Sequence, residues 1–224
     1  MRCLVAAVCL FALALSACGT GPANRTSSAT STTISSVRST TSTSTSKPSP
    51  PPIFGQPPST PTASFGAPIG AACSPADLTL TWGGQVSEAT GQHSLGLNLT
   101  NTSGATCHII GYPGISFTDA YGATLPFTYR RGGDQMVTSS LPQNVNLPPG
   151  SVVYVLINKY RCDLGDKDLA TTLHFIVPNT TASLMLSLSE PDQPGIAYCG
   201  PGDPGSVVDI SPVEPTAQAT FSVP

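Results

Sequence analysis

Charge is what this sequence lacks most. Asp, Glu, Lys and Arg make up 9% of its 224 residues, whereas Gly (21) and Pro (23) are abundant. Few charges and many turn formers exclude a long-helix protein and favour short strands joined by tight turns. Basic residues are scarcest where nucleic acid would need them. All 12 acidic residues lie from Asp77 onward, against five basic ones there: Arg130, Arg131, Lys159, Arg161 and Lys167. A domain this acidic repels phosphate backbones, so nucleic acid is not an expected partner.

Signatures of catalysis are missing too. The chain has no Gly-x-Ser-x-Gly elbow and no glycine loop of the phosphate-binding types. Its three histidines, His93, His108 and His174, share no short ligand spacing with one another or with a non-adjacent Cys. Cys107 and His108 are adjacent, and adjacent strand residues point to opposite faces, which makes joint coordination of a metal awkward. Asp163, Asp166 and Asp168 crowd one turn that could be read as a calcium loop. The spacing misses the helix-loop-helix pattern and Lys167 sits among the carboxylates, so a solvated acidic turn is expected. No catalytic residue, metal or cofactor is assigned, and the chain reads as a non-enzyme.

Long apolar runs are also absent, apart from Leu4 to Leu15 behind Met1-Arg2. That run is too short for a permanent membrane span and fits the core of a secretory signal. It ends in Leu15-Ser16-Ala17-Cys18, which resembles the bacterial lipobox. The resemblance implies cleavage before Cys18 and a diacylglycerol on its thiol. Ordinary signal cleavage, for example after Ser16, is the alternative. Cysteine parity weighs against it: of seven Cys, removal of Cys3 and Cys9 leaves five, an odd number for an exported protein. Lipidation of Cys18 leaves Cys73, Cys107, Cys162 and Cys199 to pair.

Thr26 to Ser46 holds Ser or Thr at 17 of 21 positions, and Pro48 to Pro61 holds seven prolines in 14. The first stretch has almost no apolar area to offset the entropy of ordering it, and the second favours extended polyproline II. Together they read as a stalk. Such stalks are common O-glycosylation substrates, and an undecorated spacer is the equal alternative. The expected division is therefore a signal peptide over 1–17, a lipidated Cys and disordered tether over 18–69, and a folded domain over 70–224.

Within the domain, alternation places Leu78, Leu80 and Trp82 on one face, and likewise Leu95, Leu97 and Leu99. Leu173, Phe175 and Val177 alternate in the same way, as do Leu184, Leu186 and Leu188, while Val152 to Ile157 is apolar on both faces. The first kind of run marks a half-buried strand and the second a central one. Turn signals such as Asn101-Thr102-Ser103-Gly104 and Pro148-Pro149-Gly150 separate them. Eight or nine strands are expected, forming an all-β, antiparallel, immunoglobulin-like β-sandwich.

Asn101-Thr102-Ser103-Gly104, Cys107, Gly111-Tyr112-Pro113-Gly114, Asp119 and Gly122 together resemble an actinobacterial, mycobacterial-type envelope domain of unknown function, family 4232. Leu147-Pro148-Pro149-Gly150 before Val152 to Ile157 matches a turn of that family, and Cys162 and Cys199 resemble its later cysteines. The resemblance implies a secreted or lipid-anchored β-sandwich and carries no activity. Four Cys allow three connectivities, which sequence alone does not decide. Cys73–Cys107 and Cys162–Cys199 are favoured because each is local, and the family's spacing is compatible with this choice.

Tyr129-Arg130-Arg131 is the one basic spot in the acidic domain. An aromatic beside two arginines could bind an anion or a partner loop; an exposed hairpin turn is the plainer reading. The expected role is a membrane-anchored, extracytoplasmic lipoprotein presenting a non-catalytic domain to an envelope protein, glycan or lipid, or serving structurally. The alternative is a carrier of lipid or another hydrophobic ligand, which needs an apolar cavity between the sheets. If Cys18 carries the anchor, Cys18→Ala should release the protein from membranes into the soluble fraction, because each buried methylene contributes about 0.8 kcal/mol. Wild-type partitioning of that variant on fractionation would refute it.

Overall fold

The computed structural model describes residues 61–86, 91–165, 167–189 and 195–222. Cys18, the leader, the tether up to residue 60, and Asp166 lie outside the described residues. The alternating runs form strands: β1 (Ser64–Phe65), β2 (Leu78–Val86), β3 (Gln92–Asn101), β4 (Cys107–Ile109), β5 (Gly114–Thr118), β6 (Thr128–Arg131) and β7 (Val145–Leu147). They continue with β8 (Val152–Tyr160), β9 (Asp168–Ala170), β10 (Thr172–Ile176), β11 (Ser183–Ser187), β12 (Ile196–Tyr198) and β13 (Val207–Ile210).

The largest sheet runs β2-β3-β8-β13-β6; the others run β11-β10-β5, β1-β7-β4 and β12-β9. All named pairs are antiparallel except β13 with β6, which is parallel. The fold is all-β as expected. Thirteen strands among the described residues, rather than eight or nine, reflect three-residue pieces too short to show a period.

One core joins the layers. Leu95, Leu97 and Leu99 of β3, Val153, Val155 and Ile157 of β8, and Val208 and Ile210 of β13 face Phe117 of β5 and Leu173 and Phe175 of β10. Leu156 shows why Val152 to Ile157 is apolar on both faces. Its side chain is buried on the opposite face from Ile157, against the C-terminal segment that includes Ala217 and Phe221. Ser211 and Glu214 fasten that segment to β8: Ser211 Oγ accepts from Leu156 N–H at 2.9 Å, and Glu214 exchanges two backbone bonds with Tyr154.

Both disulfides pair locally, Cys73 with Cys107 and Cys162 with Cys199, at Cα separations of 5.0 and 5.1 Å. In the chain-entropy model, loops of this size stabilise the fold by about 4 kcal/mol each. The first fixes the approach to β2 onto β4, where Cys73 N–H also donates to the His108 carbonyl.

The boundary expected at residue 70 falls earlier. Residues 62–69, assigned above to the tether, belong to the fold: β1 pairs with β7 and Ala63 is buried. The buried Asn146 amide donates to Ala67 O and accepts from Ile69 N–H, both at 2.9 Å, and Asn144 Nδ2 donates to Gly66 O. Sequence hides this docking because two-residue β1 shows no period and the segment is held by the side chains of Asn144 and Asn146, far along the chain. Deleting residues 62–69 removes the β1–β7 pairing and two of the Asn146 side-chain bonds, so urea unfolding should show a loss of about 2–4 kcal/mol. An unchanged midpoint would return the boundary to residue 70.

Candidate functional site

Strand parity builds a polar cluster on the outer face of the largest sheet. Ile157, Val208 and Ile210 turn inward, so Asn158 and Asp209 must turn outward. Register then aligns four strands: Ser94 of β3 faces Asn158 of β8, Asn158 faces Asp209 of β13, and Asp209 faces Arg130 of β6. Arg130 meets Asp209 through both fork nitrogens, Nε to Oδ1 at 2.8 Å and Nη2 to Oδ2 at 2.7 Å. Such a bidentate, charge-assisted pair fixes orientation as well as charge.

Asp134 enters from the loop after β6, where Gly132 (φ +87°) adopts the left-handed turn conformation. Asp134 Oδ1 accepts the Met136 and Val137 N–H groups, both at 2.6 Å, which aims Oδ2 at Asn158. Asn158 is buried and fully engaged: Nδ2 donates to Asp134 Oδ2 and Gln92 Oε1, and Oδ1 accepts from Ser94 Oγ, all at 2.6 Å. Gln92 is 4% exposed, and its Nε2 has no acceptor among the described residues. Gln92, Arg130, Asp134, Asn158 and Asp209 line an open cavity of about 270 Å³ together with Gln135, Tyr160, Pro204 and Val207.

Burial pushes the Asp209 carboxyl above its usual range; Arg130 opposes the shift and the neighbouring Asp134 carboxylate reinforces it. The same pair raises Arg130 further. The cluster is thus a set of mutually neutralising charges in which the acceptors are largely committed.

Of the basic spot singled out by sequence, only Arg130 lines this cavity. Tyr129–Arg131 belongs to a strand rather than a hairpin turn, and parity sends its members apart. Tyr129 packs inward with Phe117 and Phe127, ring centroids 6.4 Å away in each case. Burial pushes its hydroxyl up to about 12, partly offset by the Phe117 backbone. Arg131 lies over the Tyr112 ring at 5.9 Å, within cation–π range. Sequence reading missed Gln92, Asp134, Asn158 and Asp209, because a polar residue at an outward position looks like any solvent-facing one.

The other candidates disperse. His108 Nδ1 lies 3.1 Å from Gly70 O, His174 Nε2 lies 3.4 Å from Thr118 Oγ1, and His93 lies on β3. Asp168 begins β9 opposite Tyr198, and Asp163 N–H donates to Asp203 Oδ2. Among the described residues no three His, Cys, Asp or Glu side chains gather as a metal site. Between the sheets, the space bounded by Leu95, Phe117, Ile157 and Val208 has no room for a water molecule. A wider depression of about 650 Å³ crosses the Ser- and Thr-rich outer face of β5, β10 and β11.

A family model described as a domain of unknown function (DUF4232) matches residues 73–217, well over half of the chain. No curated protein and no solved structure matches.

Glu214, next to the segment that covers Leu156, is 2% exposed and has no ion pair among the described residues. Burial pushes its carboxyl from 4.5 up to about 7. A folded-state value above the unfolded one gives a contribution that is complete below pH 4.5 and lost as pH rises through about 7. Glu214→Gln should match the wild type near pH 4. At pH 8 it should be more stable by about 1–2 kcal/mol in urea unfolding, the full shift being discounted for solvent screening. Identical pH dependence in the two proteins would assign the effect elsewhere.

Proposed function

The chain belongs to the DUF4232 family, a domain of unknown function, and from that premise we propose that it is a bacterial envelope lipoprotein whose domain binds a partner without catalysing a reaction. Cys18 holds it to the extracytoplasmic face of the cell membrane, and the Ser/Thr- and Pro-rich tether sets the domain off from the lipid. The lipobox-like residues support this placement. So do the two disulfides, which persist outside the cytoplasm.

The observation that carries the binding role is the preorganised cavity around Gln92, Arg130, Asp134, Asn158 and Asp209. Its side chains are held by one another before any ligand arrives, which lowers the ordering cost of binding. Asp134 and Asp209 are engaged with N–H donors rather than poised over an open proton or nucleophile, which favours recognition over acid–base chemistry. The filled space between the sheets weighs against the carrier alternative.

A photo-activatable residue at Gln135, on the cavity rim, tests this in intact cells against one at Tyr121, which is 95% exposed on a turn outside the cavity. The binding role requires adducts formed at position 135 and absent at 121. Equal labelling at both, or none at 135, would remove it.

A further inference from the structure

We infer that the cavity takes a neutral saccharide chain, one ring in the cavity itself and the next in an adjoining depression. This names the ligand class of the site proposed above and rests on that binding role. The second depression, about 250 Å³, shares Pro204 and Val207 with the first and extends along the β6 edge to Thr128, Pro126 and Tyr198. Arg130 and Thr128 stand two residues apart on β6, so they point to the same face, one in each depression. Each volume falls just below the range of about 300–1,000 Å³ usual for larger ligands, so each fits one ring and the pair fits a short chain.

The chemistry of the walls selects among ligands. Asp134, Asp209 and Asp203 outnumber Arg130, whose fork is already occupied by Asp209, so phosphate, sulfate or uronate would meet net negative charge. The walls mix apolar surface with polar groups, which suits a ligand that has both. A sugar hydroxyl both donates and accepts, and the walls offer both functions: Gln92 Nε2 donates, and the exposed Gln135 amide donates through its nitrogen and accepts through its oxygen. Gln92 lines the cavity, and a ligand oxygen there would give its Nε2 an acceptor. Tyr160, Pro204 and Val207 supply apolar surface for the C–H face of a ring.

The test is isothermal titration of the full chain with glucose, galactose, mannose and arabinose and with their neutral trisaccharides, with trigalacturonate as the anionic counterpart. At least one neutral trisaccharide should bind about tenfold more tightly than its monosaccharide, and trigalacturonate should not bind. Gln135→Ala and Tyr160→Ala should each weaken binding by about tenfold. Thr128→Arg, which fills the second depression, should reduce the trisaccharide to monosaccharide affinity. Intact disulfides by peptide mapping and unchanged circular dichroism show that each variant is folded. Failure of every neutral sugar to bind, equal binding of trigalacturonate, or folded variants that bind like the wild type would overturn the saccharide assignment. Rim-specific cross-links to a protein with no sugar binding would overturn that assignment alone; no adduct at the rim would overturn the binding role beneath it.

Discussion

The two-residue period of the strand governs this molecule. Along β3, β8 and β13 every second side chain enters a core in which Leu97, Val153 and Phe117 have essentially no solvent contact. Once those positions are committed, the residues between them have no choice of face, and a slip of one residue would drive Asn158 and Asp209 into the core. The row Ser94–Asn158–Asp209–Arg130 follows from the packing of the apolar row beside it. The cavity exists because the core fixes register.

That row places charge where water is scarce. Asp209 is 4% exposed, and removing a carboxylate from water costs more than a single attraction ordinarily returns. Three features keep the cost tolerable. Arg130 answers both oxygens of Asp209 while its own side chain stays largely in solvent. Asp134 is held by two backbone N–H groups and the Asn158 amide, so its charge is spread over fixed dipoles. Parallel pairing of β6 with β13 brings Arg130 level with Asp209 without a connecting turn. The network is better understood as specifying the edge pairing than as adding net stability, since a hydrophobic replacement could stabilise as much.

Much of the fold was legible because long strands repeat their pattern. The Leu95-Leu97-Leu99 and Leu173-Phe175-Val177 alternations and the two-faced apolar run of β8 could be read directly, and the two disulfides are the local pairing favoured among three connectivities. The short strands β1, β9 and β12 could not, because two or three residues carry no period. The site was less legible still. Arg130 stood out as a charge in a sparsely charged domain, but its partner Asp209 lies 79 positions away, and only the register of a parallel pair brings them together. Nothing local distinguishes Tyr129, which enters the core, from Arg131, which stacks on Tyr112. Residues 62–69 were misplaced because Asn144 and Asn146, which hold them, come late in the chain.

The second disulfide bears on the cavity as well as on stability. Cys199 opens the loop that ends at Pro204 and Val207, two residues of the cavity wall, and Cys162 follows β8 just after Tyr160 on its rim. Ser206 locks the loop by accepting from Cys199 N–H and donating to Gly200 O at 2.7 Å. Gly205 sits so close to the Cys199 sulfur and to the Tyr160 and Arg161 carbonyls that any side chain there would displace one of them. A wall packed this tightly against a covalent link has little freedom to lose when a ligand binds, so the disulfide that limits the unfolded chain also preorganises one side of the site. With the space by Leu95, Phe117, Ile157 and Val208 filled, recognition falls to such exterior surfaces, and this one is braced by sheet register on one side and by sulfur on the other.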